Sequence, residues 1–237
     1  MPHGLRIARE ALAIGSVSRS EVLRYLGYQG QPLSPELDRR IDDTVARCIR
    51  IARSRMCMAS YAVREIGAQG VALEGCTLRL TGHDIVEHLA DASEVMLFAT
   101  TLGAGIDREL RRLSLTDALE QVIFDAAATA LVERATDAAE ARARAYAAEA
   151  NAYTSWRFSP GYGDLPLGAQ GDFLAALDAT RQLGITLTPS DLMVPTKSVT
   201  ALVGIHPTAQ PGLVSSCSIC SLSDFCTIRQ TGRTCRG

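Results

Sequence analysis

Hydrophobic residues recur every third or fourth position at Leu37, Ile41, Val45, Cys48, Ala52 and Met56, which predicts a helix with one buried face. Ser34-Pro35 opens it: the serine offers an oxygen to the first free amides, and the proline presets φ in the first turn. A shorter helix precedes it. Ser18-x-x-Glu21 reads as a capping box, and Gly27 ends the segment after Leu26. Residues 71–80, VALEGCTLRL, alternate in the manner of a strand, and residues 83–89 predict a short helix. Residues 94–101, EVMLFATT, form a compact apolar run of strand character. Residues 117–152 hold no Gly or Pro and are dominated by alanine. They predict one long helix, or two nearly collinear ones, of roughly 45–50 Å at about 1.5 Å per residue. Leu119, Val122, Ile123, Ala126, Ala130 and Leu131 make its expected buried face. Past Glu133 that face gives way to Ala, Glu and Arg, so the second half is expected to be half-exposed, with alanines that let a sheet or a docking partner approach closely. Residues 173–183 predict a further helix, and residues 198–205 a strand ended by His206-Pro207. The expected fold class is α+β, with helices packed on one side of a small, mostly antiparallel central sheet.

At 237 residues the chain can bury a substantial core, and 47 % hydrophobic residues fit an ordinary globular protein. A net charge of −2 gives no global field that would recruit nucleic acid or an acidic membrane surface. Aromatic residues at 5 % are too few for a base-stacking surface. No stretch approaches the roughly 20 apolar residues needed to span a bilayer. Residues 1–20 carry no apolar run before a small-residue cleavage site, so they read as neither secretion signal nor anchor, and the expected location is cytoplasmic.

Two segments suggest chemistry. The first is the strand 94–101 running into Leu102-Gly-Ala-Gly, an order in which backbone amides can cradle a phosphate. Arg108 stands where the third glycine of a dinucleotide fingerprint would be, which favours a plain turn. The second is RFSPGYGDLP, residues 157–166. Pro160 and Pro166 fix φ and remove amide donors, while Gly161 and Gly163 permit conformations closed to other residues. Such a segment is either a tight connection after the long helix or a stiff wall with backbone groups left for a ligand.

The pair R-x-x-P-G-Y (Arg157, Pro160, Gly161, Tyr162) and G-I-x-L-T-x-S…M-x-P-x-x-S-V (Gly184 to Val199) resembles the activation, or reactivation, domain of cobalamin-dependent methionine synthase. The resemblance extends upstream through EVLRYLGY at residues 21–28 and FATTLG at residues 98–103, which are similar to free-standing members of the family, and so covers most of residues 20–206. It implies a central antiparallel sheet flanked by helices. It also implies that the Arg…Gly-Tyr loop faces S-adenosylmethionine, with the Met-x-Pro-x-x-Ser-Val segment entering a strand beside it. On that reading Arg157 meets the methionine carboxylate as a planar, bidentate cation, Ser159 and Gly161 offer backbone contacts, and Tyr162 flanks the ligand. A carboxylate of the long helix, Glu133, receives the α-ammonium group; read by itself, Glu133 fits a solvated helix face equally well. Phe158 and Gly163 stand where the fused enzymes carry prolines, which implies a more mobile loop. The implied task is repair: cobalamin oxidised to cob(II)alamin is returned to methylcobalamin by one electron and a methyl group from S-adenosylmethionine.

The chain has no D-x-H-x-x-G, the motif through which a histidine ligates cobalt, so the cobalamin must come on a partner, a corrinoid protein or corrinoid-binding methyltransferase. His83, His88 and His206 read as surface or capping positions. Cys48, Cys57 and Cys76 read as small packed hydrophobes. Cys217-x-x-Cys220, Cys226 and Cys235 differ: four thiolates within nineteen residues supply the coordination that zinc or a 4Fe–4S cluster requires. A zinc ribbon presents two C-x-x-C knuckles and this segment has one, which tilts the reading toward iron–sulfur. The expected division is therefore an activation-domain-like unit over 1–214 and a metal-binding tail over 215–237. An iron–sulfur tail would deliver the electron that flavodoxin supplies to the fused enzyme. The alternative is a non-catalytic S-adenosylmethionine-binding or docking module stapled by structural zinc. An ordinary methyltransferase is disfavoured, because no Rossmann-type glycine loop with a downstream acidic residue is evident.

Overall fold

The computed structural model describes residue 4 and residues 6–209, so the four-cysteine segment lies outside the described residues. In chain order the elements are β1 (Arg6–Ala11), α1 (Arg19–Tyr25), α2 (Pro35–Ile51), β2 (Arg55–Gly67), β3 (Gly70–Leu73), β4 (Arg79–Thr81) and α3 (His83–His88). There follow β5 (Glu94–Thr101), α4 (Ala104–Thr116), α5 (Ala118–Glu149), β6 (Tyr153–Thr154), a 3-10 turn at Leu167–Ala169, α6 (Gln170–Leu177), α7 (Ala179–Leu183), the short pair β7 (Thr186–Leu187) and β8 (Met193–Val194), and β9 (Ser198–His206). Seven strands make one sheet in the order β4-β3-β2-β5-β9-β6, with β1 beside the first part of β2. Every pairing in it is antiparallel, and β5 forms its centre, with Phe98 opposite Met58 on β2 and Ala201 on β9.

The α+β class holds, with one correction. Helices cover both faces of the sheet, because its central strands are apolar on both sides. Met56, Met58, Met96, Phe98, Ala201, Val203 and Ile205 point toward α5 and meet Ala139, Ala143 and Ala147. The intervening residues Cys57, Ala59, Val95, Leu97, Ala99 and Leu202 point the other way, onto Phe158 and the α6–α7 residues Phe173, Leu174, Leu177 and Leu183. A third cluster joins the first half of α5 to α1, α2 and α4.

Several local expectations change for identifiable reasons. Ser34 caps α2 as expected, accepting from the Leu37 amide at 3.2 Å. Ser18 does not complete a capping box: its hydroxyl pairs with Ser20, and Glu21 turns to Arg24. Met56 belongs to β2, because α2 ends at Ile51. The 71–80 segment is two strands, β3 and β4, rather than one. The 173–183 helix is interrupted at Asp178, whose φ of 53° separates α6 from α7.

The long helix is a single element of 32 residues, and of its expected buried face Ile123, Ala126, Ala130 and Leu131 are buried. Leu119 and Val122 are 49 % and 56 % exposed, while Ala135, Ala139, Ala143 and Ala147 are buried. The space between helix and sheet is filled by large strand side chains, so the helix contributes its smallest. Cys48 and Cys57 are buried free thiols pushed up to about 12 by burial, consistent with packing rather than reactivity. His83 is exposed as expected, but His88 and His206 are buried, at 5 % and 1 % exposure.

Ala143→Leu is expected to cost about 1–3 kcal/mol, since added methylenes in a filled core force rotamers and backbone to shift. Val122→Ser, on the exposed side, should stay within about 0.5 kcal/mol. Urea midpoints of the two variants check both values. A second expectation concerns pH. Burial lowers the His206 pKa, and its two ring nitrogens make no hydrogen bond among the described residues. The unfolded chain therefore takes up this proton more readily than the folded one. The resulting stability is fully present above about pH 6.5 and is lost as pH falls below it. His206→Phe should flatten that part of the stability–pH curve.

Candidate functional site

Alanine on the sheet side of α5 fixes which residues stand on its flank. At about 100° per residue, Glu133, Asp137 and Glu140 lie in a row roughly a quarter to a third of a turn from the buried alanines. Arg157, three residues beyond β6, folds its guanidinium onto that row. Its Nη1 lies 2.9 Å from Asp137, its Nε 3.2 Å from Glu140 and its Nη2 3.5 Å from Glu133. The arginine side chain is only 12 % exposed, as is Glu140, while Glu133 and Asp137 are nearly half exposed. Arg144 and Arg134 on the same helix pair with Glu140 and Asp137. Two of the expected residues, Arg157 and Glu133, are thus brought together, and of the three acids Glu133 makes the longest contact to the guanidinium. Asp137 and Glu140 were not anticipated, although the spacing 133, 137, 140 is one helix face.

The bend after Arg157 is tied to the sheet. Phe158 exchanges both backbone hydrogen bonds with Leu202 of β9, at 2.9 and 2.8 Å, and its ring is buried. The expectation that β9 runs beside this loop therefore holds. Within the bend, the Ser159 carbonyl accepts from the Tyr162 amide at 3.0 Å and the Gly161 amide donates to Leu165 at 2.9 Å. Among the described residues the Ser159 N–H and the Gly161 C=O make no backbone hydrogen bond, and neither do the Pro160 C=O and the Gly163 N–H and C=O. Tyr162 is 51 % exposed, its ring 6.1 Å from that of Phe158 in an edge contact. Trp156 and His88 continue the aromatic wall, at 5.4 Å and 5.0 Å from Phe158. His88 is fixed by the Ser155 hydroxyl at 2.9 Å, and that hydroxyl also accepts from the Gly204 amide.

The far side of the loop, for which the resemblance implies mobility, makes a specific contact with α3. The Asp164 carboxylate accepts from the amides of His83 and Asp84, capping α3 from 80 residues away where the helix's own N-cap, Gly82, has no side chain. Gly163 has φ of 51°, which excludes a proline here, and a Cβ on it would overlap the Asp84 carboxylate. A Cβ on Gly82 would likewise overlap the carboxylate of Asp164. Each aspartate occupies the space the opposite glycine leaves open.

A seven-stranded antiparallel sheet with α5 along one face and α6 and α7 on the other is the fold of the methionine synthase reactivation class. The chain is similar to the crystal structure of the MetH reactivation domain bound to AdoHcy, with a TM-score of 0.66 at 14 % identity, over 98 % of this chain and 88 % of that one. Residues 77–230 match the family model of the vitamin B12 dependent methionine synthase activation domain, and the chain belongs to that family. No curated protein matches it.

Asp164→Ala should lower stability by about 1 kcal/mol, the usual value of a lost N-terminal cap. Amide hydrogen exchange should speed up at the start of α3 while α5 is unaffected.

Proposed function

We propose that the row Glu133, Asp137 and Glu140 with Arg157 and the bend 159–162 binds S-adenosylmethionine, and that the chain serves the reductive remethylation of a corrinoid carried by a partner protein. The observation that carries this is the placement of Arg157: a shielded guanidinium beside a half-exposed carboxylate, at the root of a stiff bend, in a chain of the activation-domain family. The donor set suits an α-amino acid. Arg157 offers a planar fork to the carboxylate, and Glu133, its weakest partner at 3.5 Å, can turn to the ammonium. The ligand's sulfonium adds a further positive charge, which the acidic row favours. The Ser159 N–H and Gly161 C=O then hold the remainder, with Tyr162 against it.

Held by Arg157, Glu133 and the bend, S-adenosylmethionine would supply the methyl group for a partner's corrinoid reduced by one electron, and would leave as S-adenosylhomocysteine. This chain's residues bind and orient; a fixed geometry of this kind is where most of such a rate effect arises. Cys217, Cys220, Cys226 and Cys235 would hold the cluster that supplies the electron, with zinc as the alternative occupant. They lie outside the described residues, and their number and spacing support this reading.

Isothermal titration of S-adenosylmethionine should show Arg157→Ala binding about 10–100-fold more weakly, the loss of about 1.5–3 kcal/mol expected for a charge-assisted contact. Arg157→Lys, which keeps the charge without the fork, should fall between. Removing the cation leaves three carboxylates facing one another, so urea midpoints must be recorded beside the titrations. Equal affinity in all three proteins would exclude this site. A full-length chain purified without oxygen should be brown, absorb near 400 nm and contain iron and sulfide; a colourless, zinc-containing chain would favour the non-catalytic module.

A further inference from the structure

The five arginines around the start of α4 take no part in the site above. Arg50, Arg53 and Arg55, at and just after the end of α2, and Arg108 and Arg112 on α4 line a cavity of about 640 Å³ together with the backbone of residues 103–105. One carboxylate, Glu109, shares the lining, and it is already held by Arg47 and Arg112 at 3.0 and 2.9 Å. Among the described residues Arg50, Arg53, Arg55 and Arg108 form no ion pair, as is also true of Arg6, Arg9, Arg39, Arg64, Arg79 and Arg111, but these four lie together around one cavity in a chain of negative net charge. Arg53 donates to the Arg50 and Ala52 carbonyls at the end of α2, but the Nε of Arg55 is buried with no acceptor. Such an atom costs stability unless something outside the described contacts accepts from it.

The floor of the cavity is the strand–Gly-x-Gly–helix turn. β5 ends at Thr101, Gly103 has φ of 79°, and α4 begins at Ala104 with no side-chain cap on its first amides. Free amides and the positive end of a helix of 13 residues therefore face the same space as the guanidinium groups.

We propose that this cavity binds a polyphosphate chain, free or as the tail of a nucleotide. Unpaired guanidinium groups exceed what a single phosphate would neutralise, and the volume is that of a small-molecule site rather than of one ion. No aromatic residue lines it, so a base could stack only on a guanidinium plane, and the phosphates carry most of the recognition. Tripolyphosphate and ATP should accordingly bind alike, and orthophosphate more weakly.

The test is titration of the full chain with tripolyphosphate, ATP and orthophosphate at low and high salt, followed by calorimetry and by the backbone amide resonances of Ala104 and Gly105. The expected result is saturable binding of tripolyphosphate and ATP within a few-fold of each other, weakened by salt, with both amides shifting. The double variant Arg55→Gln/Arg108→Gln should raise Kd at least tenfold. Arg111→Gln, on the same helix outside the lining, should leave it unchanged, and both variants should keep the wild-type unfolding midpoint. Arg108→Gln alone, at an exposed position, covers the case in which the double variant unfolds. No saturable binding, unshifted amides, or an equal loss in Arg111→Gln would overturn the proposal. So would a single-stranded oligonucleotide binding through these arginines when tripolyphosphate does not, since the face would then serve a macromolecule.

Discussion

The close approach of α5 to the sheet is the constraint on which the rest of the molecule depends. Met56, Met58, Met96 and Phe98 rise from the strands and fill the gap, so the helix can lie across them only where it presents methyl groups. Ala139, Ala143 and Ala147 do so at every fourth position. Larger residues there would lift the helix, and close-packed interiors do not absorb such volume cheaply. With that face fixed, the helix has no rotational freedom left, and Glu133, Asp137 and Glu140 are committed to the flank where Arg157 arrives. The same placement buries Thr136 against Thr100, whose hydroxyls lie 3.0 Å apart, so this buried polar pair at the seam is satisfied.

Arg157 adds a charged tie between two elements already joined by apolar packing. Its backbone neighbour Phe158 belongs to the sheet through Leu202, and its side chain belongs to α5. A buried guanidinium is tolerated only with its partners in place, and loss of one side of such a set is far more costly than the set is worth. A ligand carboxylate entering here would exchange one set of anionic partners for another rather than create a charge pair from nothing. That makes modest affinity and strong selectivity for a zwitterion the physical expectation.

Much of the fold was legible. EVMLFATT became the central strand β5, Ser34-Pro35 opened α2, and the stretch without Gly or Pro became one helix. What failed has physical causes. β2 carries a weak signature, because MCMASYAV is buried on both faces at its start and holds a single β-branched residue, Val63, so Met56 extends the apparent periodicity of α2. Leu119 and Val122 are apolar yet exposed, because α5 turns Ile123, Phe124 and Leu131 toward α1, α2 and α4 and its alanines toward the sheet, and hydrophobicity alone does not distinguish these faces. The joining of Arg157 and Glu133 came from resemblance to a family; Asp137 and Glu140 could have been read from spacing alone. The Asp164 cap on α3 joins positions 80 residues apart, and no local pattern encodes it.

The reciprocal seats of Asp84 and Asp164 have an evolutionary corollary. Each carboxylate stands in a hollow that exists only because the facing position lacks a β-carbon, so neither half of the arrangement can drift alone. Replacement of either glycine must await a shorter side chain across from it, and a shorter side chain forfeits an anchoring contact. Among relatives these four positions should change in concert or not at all, even though they belong to separate surface turns.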